Sequence, residues 1–99
     1  MNNEQPKQLQ INISQDAIKA LYSDVVFLSI TPFGITLDFG QQLPAAGRVE
    51  IVSRVSVSPQ HAKLLAEVLI ANVKEYEKQF GEIKITEKMK KAMNKKIGF

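Results

Sequence analysis

The fold is decided by residues 49–81, which read VEIVSRVSVSPQHAKLLAEVLIANVKEYEKQFG. The first nine of these residues are rich in valine and largely alternate between apolar and polar side chains, the period-2 pattern of a β-strand. Ser58 is a favourable N-cap, and Pro59 stands at the first helical position, where a missing N–H costs no hydrogen bond. The stretch therefore predicts a strand that leads directly into a helix.

The predicted helix has one apolar stripe and a defined end. Gly81 is placed to end it as a residue of left-handed conformation. About 22 residues give about 33 Å of helix, the length of the preceding strand, so we expect the two to lie along each other over their whole length. The stripe recurs at the spacing of a buried helical face and consists of Ala62, Leu65, Val68, Leu69, Val73, Tyr76 and Phe80.

Three earlier segments predict further strands. Leu9–Ile13 and Ile35–Phe39 alternate between apolar and polar side chains, and Val25–Ile30 is apolar on both faces. A proline turn at 31–34 joins two of these segments, and residues 40–47 predict a loop. The predicted fold is α+β: an antiparallel β-meander of three to four strands, then one long helix packed on one sheet face, then a short basic C-terminal helix or tail.

The register of the second hairpin follows from charge. One register pairs Leu37 with Val49. It sets Asp38 opposite Arg48, whereas a shift of two residues would set Asp38 against Glu50, a repulsive pair. We therefore prefer the first register, in which Arg54 has no obvious mate.

The register of the first hairpin stays open between two alternatives. A two-residue loop at Pro32 pairs Val26 with Phe39, whereas a bulge at Gly34 brings Phe27 opposite Phe39. In either case one apolar side of Val25–Ile30 is left on the sheet face that the helix does not cover. With Val52 nearby, that face would carry an apolar patch, and such patches mark association surfaces. This predicts a dimer.

Composition places the chain among ordinary folded proteins. Its 99 residues suit one domain, and it is 44% hydrophobic and 23% charged. Without cysteine, disulfides and thiolate metal sites are excluded. A polar start and the lack of a long apolar run predict a cytoplasmic protein without a membrane span. We expect a flexible N-terminus at 1–8, the folded domain at 9–83 and a separate segment at 84–99.

The C-terminal segment holds the excess positive charge. The net charge is +3, yet residues 84–99 alone carry six lysines and one glutamate, a balance of 6 − 1 = +5. Thr86 predicts a short helix with Ile85, Met89, Ala92, Met93 and Ile97 on one side. Another side carries a stripe that consists of Lys84, Lys88, Lys91 and Lys95. Three alternatives stay open: a solvated helix docked by its apolar side, an electrostatic arm for nucleic acid, or an amphipathic segment for an acidic protein or membrane surface.

His61 is the one histidine, a single turn from Ser58. Nucleophilic catalysis by such a pair would need a third group to orient the imidazole and donors for an oxyanion, and neither appears in the flanking sequence. We therefore expect no catalytic, metal or cofactor site, and no enzyme. The candidate contacts with a partner are instead Phe27, Val52, Arg54 and His61.

Five short segments of the chain form a distinctive set: ITLDF at 35–39, SRV at 53–55, SPQHAK at 58–63, YE at 76–77 and FGEI at 80–83. Together they resemble the family called domain of unknown function 3467. The resemblance implies a small bacterial or archaeal protein without an established activity, in a family with some members encoded beside RNA polymerase genes. The turn at 31–34 is less polar than in relatives, and the lysine-rich tail lies outside the family pattern.

The sequence predicts a non-catalytic binding or assembly module that associates with itself, as a dimer above all, and binds another protein. The alternative is a nucleic-acid-associated or transcription-linked accessory protein that uses the lysine-rich C-terminal segment. No glycine-rich phosphate loop or nucleophile motif points to an enzyme.

Overall fold

The computed structural model describes residues 8–93 and 98–99. The elements follow one another as a 3-10 turn at Gln15–Ala17, β1 at Val25–Thr31, β2 at Gly34–Leu43, a 3-10 turn at Pro44–Ala46, β3 at Arg48–Val57, α1 at Pro59–Phe80 and α2 at Glu87–Ala92. The three strands form an antiparallel sheet with β2 in the middle. The predicted α+β class, a meander followed by a long and a short helix, is confirmed.

The long helix α1 begins and ends where the sequence predicts. The Ser58 hydroxyl accepts a hydrogen bond of 3.1 Å from the backbone N–H of His61. At the other end, the N–H of Gly81 bonds to the carbonyl of Glu77. Gly81 has a φ of 102° but a ψ of 169°, so the left-handed conformation that we expected is wrong. The chain leaves the helix extended, and the Glu77 carboxylate then accepts a hydrogen bond of 2.9 Å from the N–H of Ile83.

The first hairpin adopts the two-residue loop. Val26 pairs with Phe39, and Thr31 pairs with Gly34 across the turn. The Thr31 hydroxyl accepts a hydrogen bond of 3.2 Å from the N–H of Phe33, which fixes the turn. Gly34 has a φ of 151°, and a Cβ at this position would collide with the carbonyl oxygen of Val57. Only glycine therefore suits the turn where β2 passes closest to β3.

The register predicted for the second hairpin is wrong. Leu37 pairs with Val55 rather than Val49, a shift of 55 − 49 = 6 residues, and Asp38 pairs with Arg54. The error arises because β2 continues past Phe39 to Leu43, so that residues 40–47 are not one loop. The connection is the short turn at 44–46, and Gly47 closes it in the left-handed region with a φ of 65°.

A β-bulge separates the two ends of β3. The pairing shifts between Phe39 and Gly40, which leaves Val52 as the extra residue on β3. As a result, Val49 and Ile51 do not share the face of the later valines of this strand. We call one side the apolar face, made of Val26, Leu28, Ile30, Ile35, Leu37, Phe39, Val55 and Val57. The other side is the polar face, with Ser29, Thr36, Asp38, Arg54 and Ser56 at its centre.

Helix α1 meets the apolar face, but only with its first half. Its main contact is with β2, and the helix residues that line a hollow with the sheet extend only as far as Leu69. In the second half of the helix, Tyr76 is 52% exposed and Phe80 is 71% exposed. The expectation that strand and helix lie along each other over their whole length is therefore wrong.

The first described residues form no strand, although Leu9–Ile13 was predicted to be one. Their alternating side chains are exposed, and nothing in the described chain pairs with their backbone. Among residues 8–93 and 98–99, no helix is long and apolar enough to cross a membrane.

Candidate association surface

The apolar face and the first half of α1 enclose an open groove of about 340 Å³. On the helix side, Ala62 and Ala66 face the sheet, and their small side chains leave the space between the two elements unfilled. Protein interiors are normally packed to the density of organic crystals, so a groove of this size marks a core that is not closed. Its remaining lining is aliphatic and consists of Val26, Leu28, Ile35, Leu37, Val57, Leu65 and Leu69.

The apolar arc of α1 is wider than one sheet can cover. At 100° per residue it runs from Val68 through Leu69 to Ile70, about 200° in all. The polar residues that interrupt it are His61, Asn72, Glu77 and Gln79. A stripe that packs on a single layer needs about half of that width. The seven residues that the sequence analysis placed in the stripe underestimate the arc, because Ile70 widens it. The rest of the circumference carries the charges, which are Lys63, Glu67, Lys74, Glu75 and Lys78.

Two further hollows flank the ridge formed by Leu69 and Val73. One, of about 290 Å³, also includes Tyr76 and Ile83, and the other, of about 520 Å³, includes Ile70. No sheet residue lines either of them. Both are therefore grooves between helix side chains, of the kind that receives the ridge of a second helix.

Within the described residues, no hydrophobic side chain is buried, and the only buried residues are Gly34 and Gly40. The chain exposes 9445 Å², whereas a compact folded protein of its mass exposes about 5,700 Å². Its radius of gyration is 17.5 Å, against about 12.6 Å for a compact chain of this length. The surplus is roughly 3,700 Å² per chain, or about 7,400 Å² for two copies, which is more than the roughly 2,000–5,000 Å² that obligate interfaces commonly bury. The described part of the chain therefore lacks a core of its own.

The predicted patch of Phe27 with Val52 is wrong, because the two residues lie on opposite faces. Phe27 is half-buried on the polar side of β1, opposite Asp38. Val52, the bulge residue, lines a hollow together with Phe39 and Val55 of the apolar face. The bulge causes this arrangement, because the side chains before Val52 and those after it alternate between the two sheet faces out of phase.

Arg54 has a mate, contrary to our expectation. Its Nε lies 2.6 Å from Oδ1 of Asp38, directly across the strand pair. Arg48, the mate that we had assigned to Asp38, instead contacts the Glu50 carboxylate at 3.3 Å. The centre of the polar face therefore satisfies its own charges.

His61 lies exposed in the first turn of α1, close to Ser58. The Ser58 hydroxyl serves as the helix cap. In the described part of the chain, no three His, Asp or Glu side chains come close enough together to hold a metal ion. His61 thus has the surroundings of a surface residue at the start of a helix.

The C-terminal segment forms the predicted helix α2. The Thr86 hydroxyl caps it by accepting a hydrogen bond of 3.2 Å from the N–H of Met89. Lys88 and Lys91 lie one turn apart and are exposed, as is Lys84 before the helix. Lys95, the fourth lysine of the predicted stripe, lies outside the described residues, as does Ile97.

The end of the chain docks on the outer edge of β1, which the sequence analysis missed. The N–H of Val26 donates to the carbonyl of Phe99 at 2.6 Å, and Gly98 forms a bridge with Phe27. Ala92 joins them around a hollow on the polar side. The one signal in the sequence was that Val25–Ile30 is apolar on both faces, which indicates a strand covered on both sides.

Comparison with known proteins identifies a family. Residues 1–85 match the family described as Protein of unknown function (DUF3467). No curated protein and no solved structure gives a significant match. The matched region covers the sheet and α1, and it ends before α2. The chain belongs to the DUF3467 family of proteins of unknown function.

Proposed function

We propose that this protein is a non-catalytic assembly module that works as a homodimer. The two copies meet through the apolar face of the sheet and the apolar arc of α1. The observation that carries the proposal is that no hydrophobic side chain is buried within the described residues of one copy. Since apolar burial is the main favourable term in folding, a chain with such a surface needs a permanent partner.

A second copy suits this surface better than an unrelated protein. Each copy has an apolar ridge on α1, formed by Leu69 and Val73 and continued by Tyr76 and Phe80, all of them exposed. Each copy also has an unfilled groove, made where Ala62 and Ala66 face the sheet. Two copies related by a two-fold axis can each place the ridge against the other's groove and hollows, so that the same patch serves both sides. Because the partner is a second copy of the same chain, it is always present in the same amount as the first copy.

Such a dimer keeps other surfaces for a further protein. The polar face lies on the side of the sheet opposite α1, with Phe27 half-buried and Arg54 exposed on it. His61 is exposed at the start of α1. We assign Phe27 and Arg54 on the polar face, and His61 separately at the start of α1, to contacts with a protein partner. Val52 belongs to the apolar side between the two copies. The compartment that we infer is the cytoplasm.

Nucleic acid is the alternative partner, and the exposed lysines of α2 favour it. Affinity from lysine alone is non-specific and falls steeply with salt. Filter binding at low and moderate salt tests it, with the K88E/K91E variant as the comparison. Retention that the variant loses would support the alternative; no retention at low salt would remove it.

The dimer is tested by size-exclusion chromatography with light scattering over a wide range of concentrations. We expect a mass of twice 11.1 kDa. A folded particle of 11.1 kDa at every concentration would contradict the proposal.

A pair of matched variants makes the test specific to the surface. Leu64 and Leu69 are each 59% exposed in one copy, but Leu64 lies among the charges of α1 and Leu69 on the apolar ridge. Leu69→Asp should abolish the dimer and with it the cooperative fold, whereas Leu64→Asp should leave the mass at twice that of one chain. Equal effects of the two substitutions would contradict the assigned surface.

A further inference from the structure

The N-terminal arm, which we define as residues 8–14, has the pattern of a strand without a strand partner. Leu9 is 90% exposed and Ile11 is 96% exposed, and they alternate with Gln10 and Asn12. A period of two is typical of a strand whose one face is covered. Among the described residues, no strand pairs with the arm.

The segment that follows the arm carries it across the sheet. Just before β1, the carbonyl of Tyr22 accepts a hydrogen bond of 2.9 Å from the Gln41 side chain, which fixes this residue beside β2. Residues 16–23 then share a hollow of about 490 Å³ with Phe39, Val52 and Val55 on the apolar face. The chain has thus passed from β1 over β2 to the side of β3. The arm begins there, and its Leu9 and Ile11 are almost fully exposed.

The outer edge of β3 is open along its ten residues, Arg48–Val57. Among the described residues β3 pairs with β2 alone, whereas the outer edge of β1 is occupied by Gly98 and Phe99. A long open edge exposes unpaired N–H and C=O groups and invites another chain, so proteins usually cover it. The sheet therefore has one unpaired edge, that of β3, and the alternating sequence of the arm is suitable for a strand that pairs with it.

We propose that the arm of one copy pairs with the edge of β3 in the other copy and extends that sheet to four strands. The proposal rests on the homodimer proposed above. Seven residues at about 3.3 Å each span about 23 Å, which fits within the ten-residue edge. Leu9, Ile11 and Ile13 then extend the apolar face beside Val55 and Val57. Gln10 and Asn12 fall on the polar face, with Asn12 level with Ser56.

The test uses the lack of native cysteine. Asn12→Cys is introduced in a chain with one affinity tag and Ser56→Cys in a chain with another. The two proteins are unfolded together, refolded as mixed dimers and treated with a short bifunctional thiol reagent. Ser29→Cys serves as the matched control, since Ser29 is exposed on the same face but lies on β1, at the far side of the sheet.

We expect most mixed dimers of Asn12→Cys with Ser56→Cys to become cross-linked, and no cross-link above background with Ser29→Cys. The double variant Asn12→Cys/Ser56→Cys should give covalent dimers rather than internally linked monomers. Internal links, or equal yields with the Ser29→Cys control, would overturn the arm exchange. If light scattering shows a dimer but no cross-link forms, the exchange fails and the proposed homodimer stands. If light scattering shows only monomer, both fail.

Discussion

The two faces of the sheet differ in where their interactions are completed. On the polar face, Asp38 and Arg54 pair across strands, and the hydroxyls of Thr36 and Ser56 lie 3.3 Å apart. On the apolar face, α1 covers only a part and leaves a groove that no described residue fills. The difference shows that charges and hydroxyls can be paired within one chain of this size. The apolar face, by contrast, is larger than the area that α1 of the same chain can cover. In the homodimer that we propose, the second copy supplies that area.

The largest expected difference is between two neighbouring residues of β2. Leu37→Ala removes a side chain from the groove that the second copy closes, so we expect a loss of about 2–4 kcal/mol in the free energy of unfolding. Thr36→Ala, on the polar face, removes only an exposed hydroxyl pair and should cost about 0.5–1.5 kcal/mol. Urea unfolding at a fixed protein concentration measures both.

If the apolar face were exposed in solution as in one copy, Leu37→Ala would cost little more than Thr36→Ala. Near-equal losses would therefore break the distinction between the faces. A lower mass for Leu37→Ala with an unchanged mass for Thr36→Ala would sharpen it.

The next effect tests the bulge that sorts β3 onto the two faces. A Cβ on Gly40 would stand 2.9 Å from Cγ1 of Val49 and 3.1 Å from the carbonyl oxygen of Glu50. Because the backbone at Glu50 must move as well, Gly40→Ala should cost about 1–3 kcal/mol. Thermal unfolding measures this. A neutral substitution would show that β2 and β3 do not pair in this register.

The smallest effect concerns the ion pair of the polar face. The Arg54 side chain is 71% exposed, so solvent screens its attraction to Asp38. Arg54→Ala should cost about 0.2–1 kcal/mol, should cost less at high salt, and should leave the dimer mass unchanged. A double-mutant cycle with Asp38→Ala isolates the pair. Dissociation of the dimer by Arg54→Ala would place the polar face in the interface and contradict our assignment.

Helix α1 could be predicted from the sequence because its signals are local. Ser58, Pro59 and Gly81 mark its ends within one turn, and the apolar spacing between them is regular over 22 residues. The turn around Pro32 is equally local, and one of the two registers left open there is the one formed. The cap of α2 by Thr86 follows the same logic.

The pairing of β2 with β3 could not be predicted because it depends on where a strand stops. Gly40 is a weak strand former, and Gln41 and Gln42 do not continue the apolar alternation, so the sequence predicts a loop from the glycine onward. Gly40 instead lies within β2, and the side chains of Val49 and Ile51 pack against it. The sign of the bulge in the sequence is Ser53, which interrupts the apolar row of this strand. Ser53 alone does not show that the bulge lies at Val52, nor that the bulge moves Val49 and Ile51 to the other face.

In the homodimer that we propose, the cover of the apolar face belongs to another chain, so its position could not be predicted from the sequence. Alternation in the arm indicates a strand but does not name its neighbour. The width of the apolar arc is the feature of the sequence that indicates a second covering surface, since Ile70 lies outside a stripe that one sheet can cover. Only its exposure in the folded chain, 58%, shows that the arc is not used within one copy.

The most direct test of the central claim is the dependence of unfolding on protein concentration. If folding and association are one event, each tenfold dilution lowers the apparent free energy of unfolding by about 1.4 kcal/mol and moves the urea midpoint down accordingly. We predict this dependence for the full chain. A cooperative transition with the same midpoint at all concentrations, together with a mass of 11.1 kDa, would show that one copy folds alone and would contradict the account.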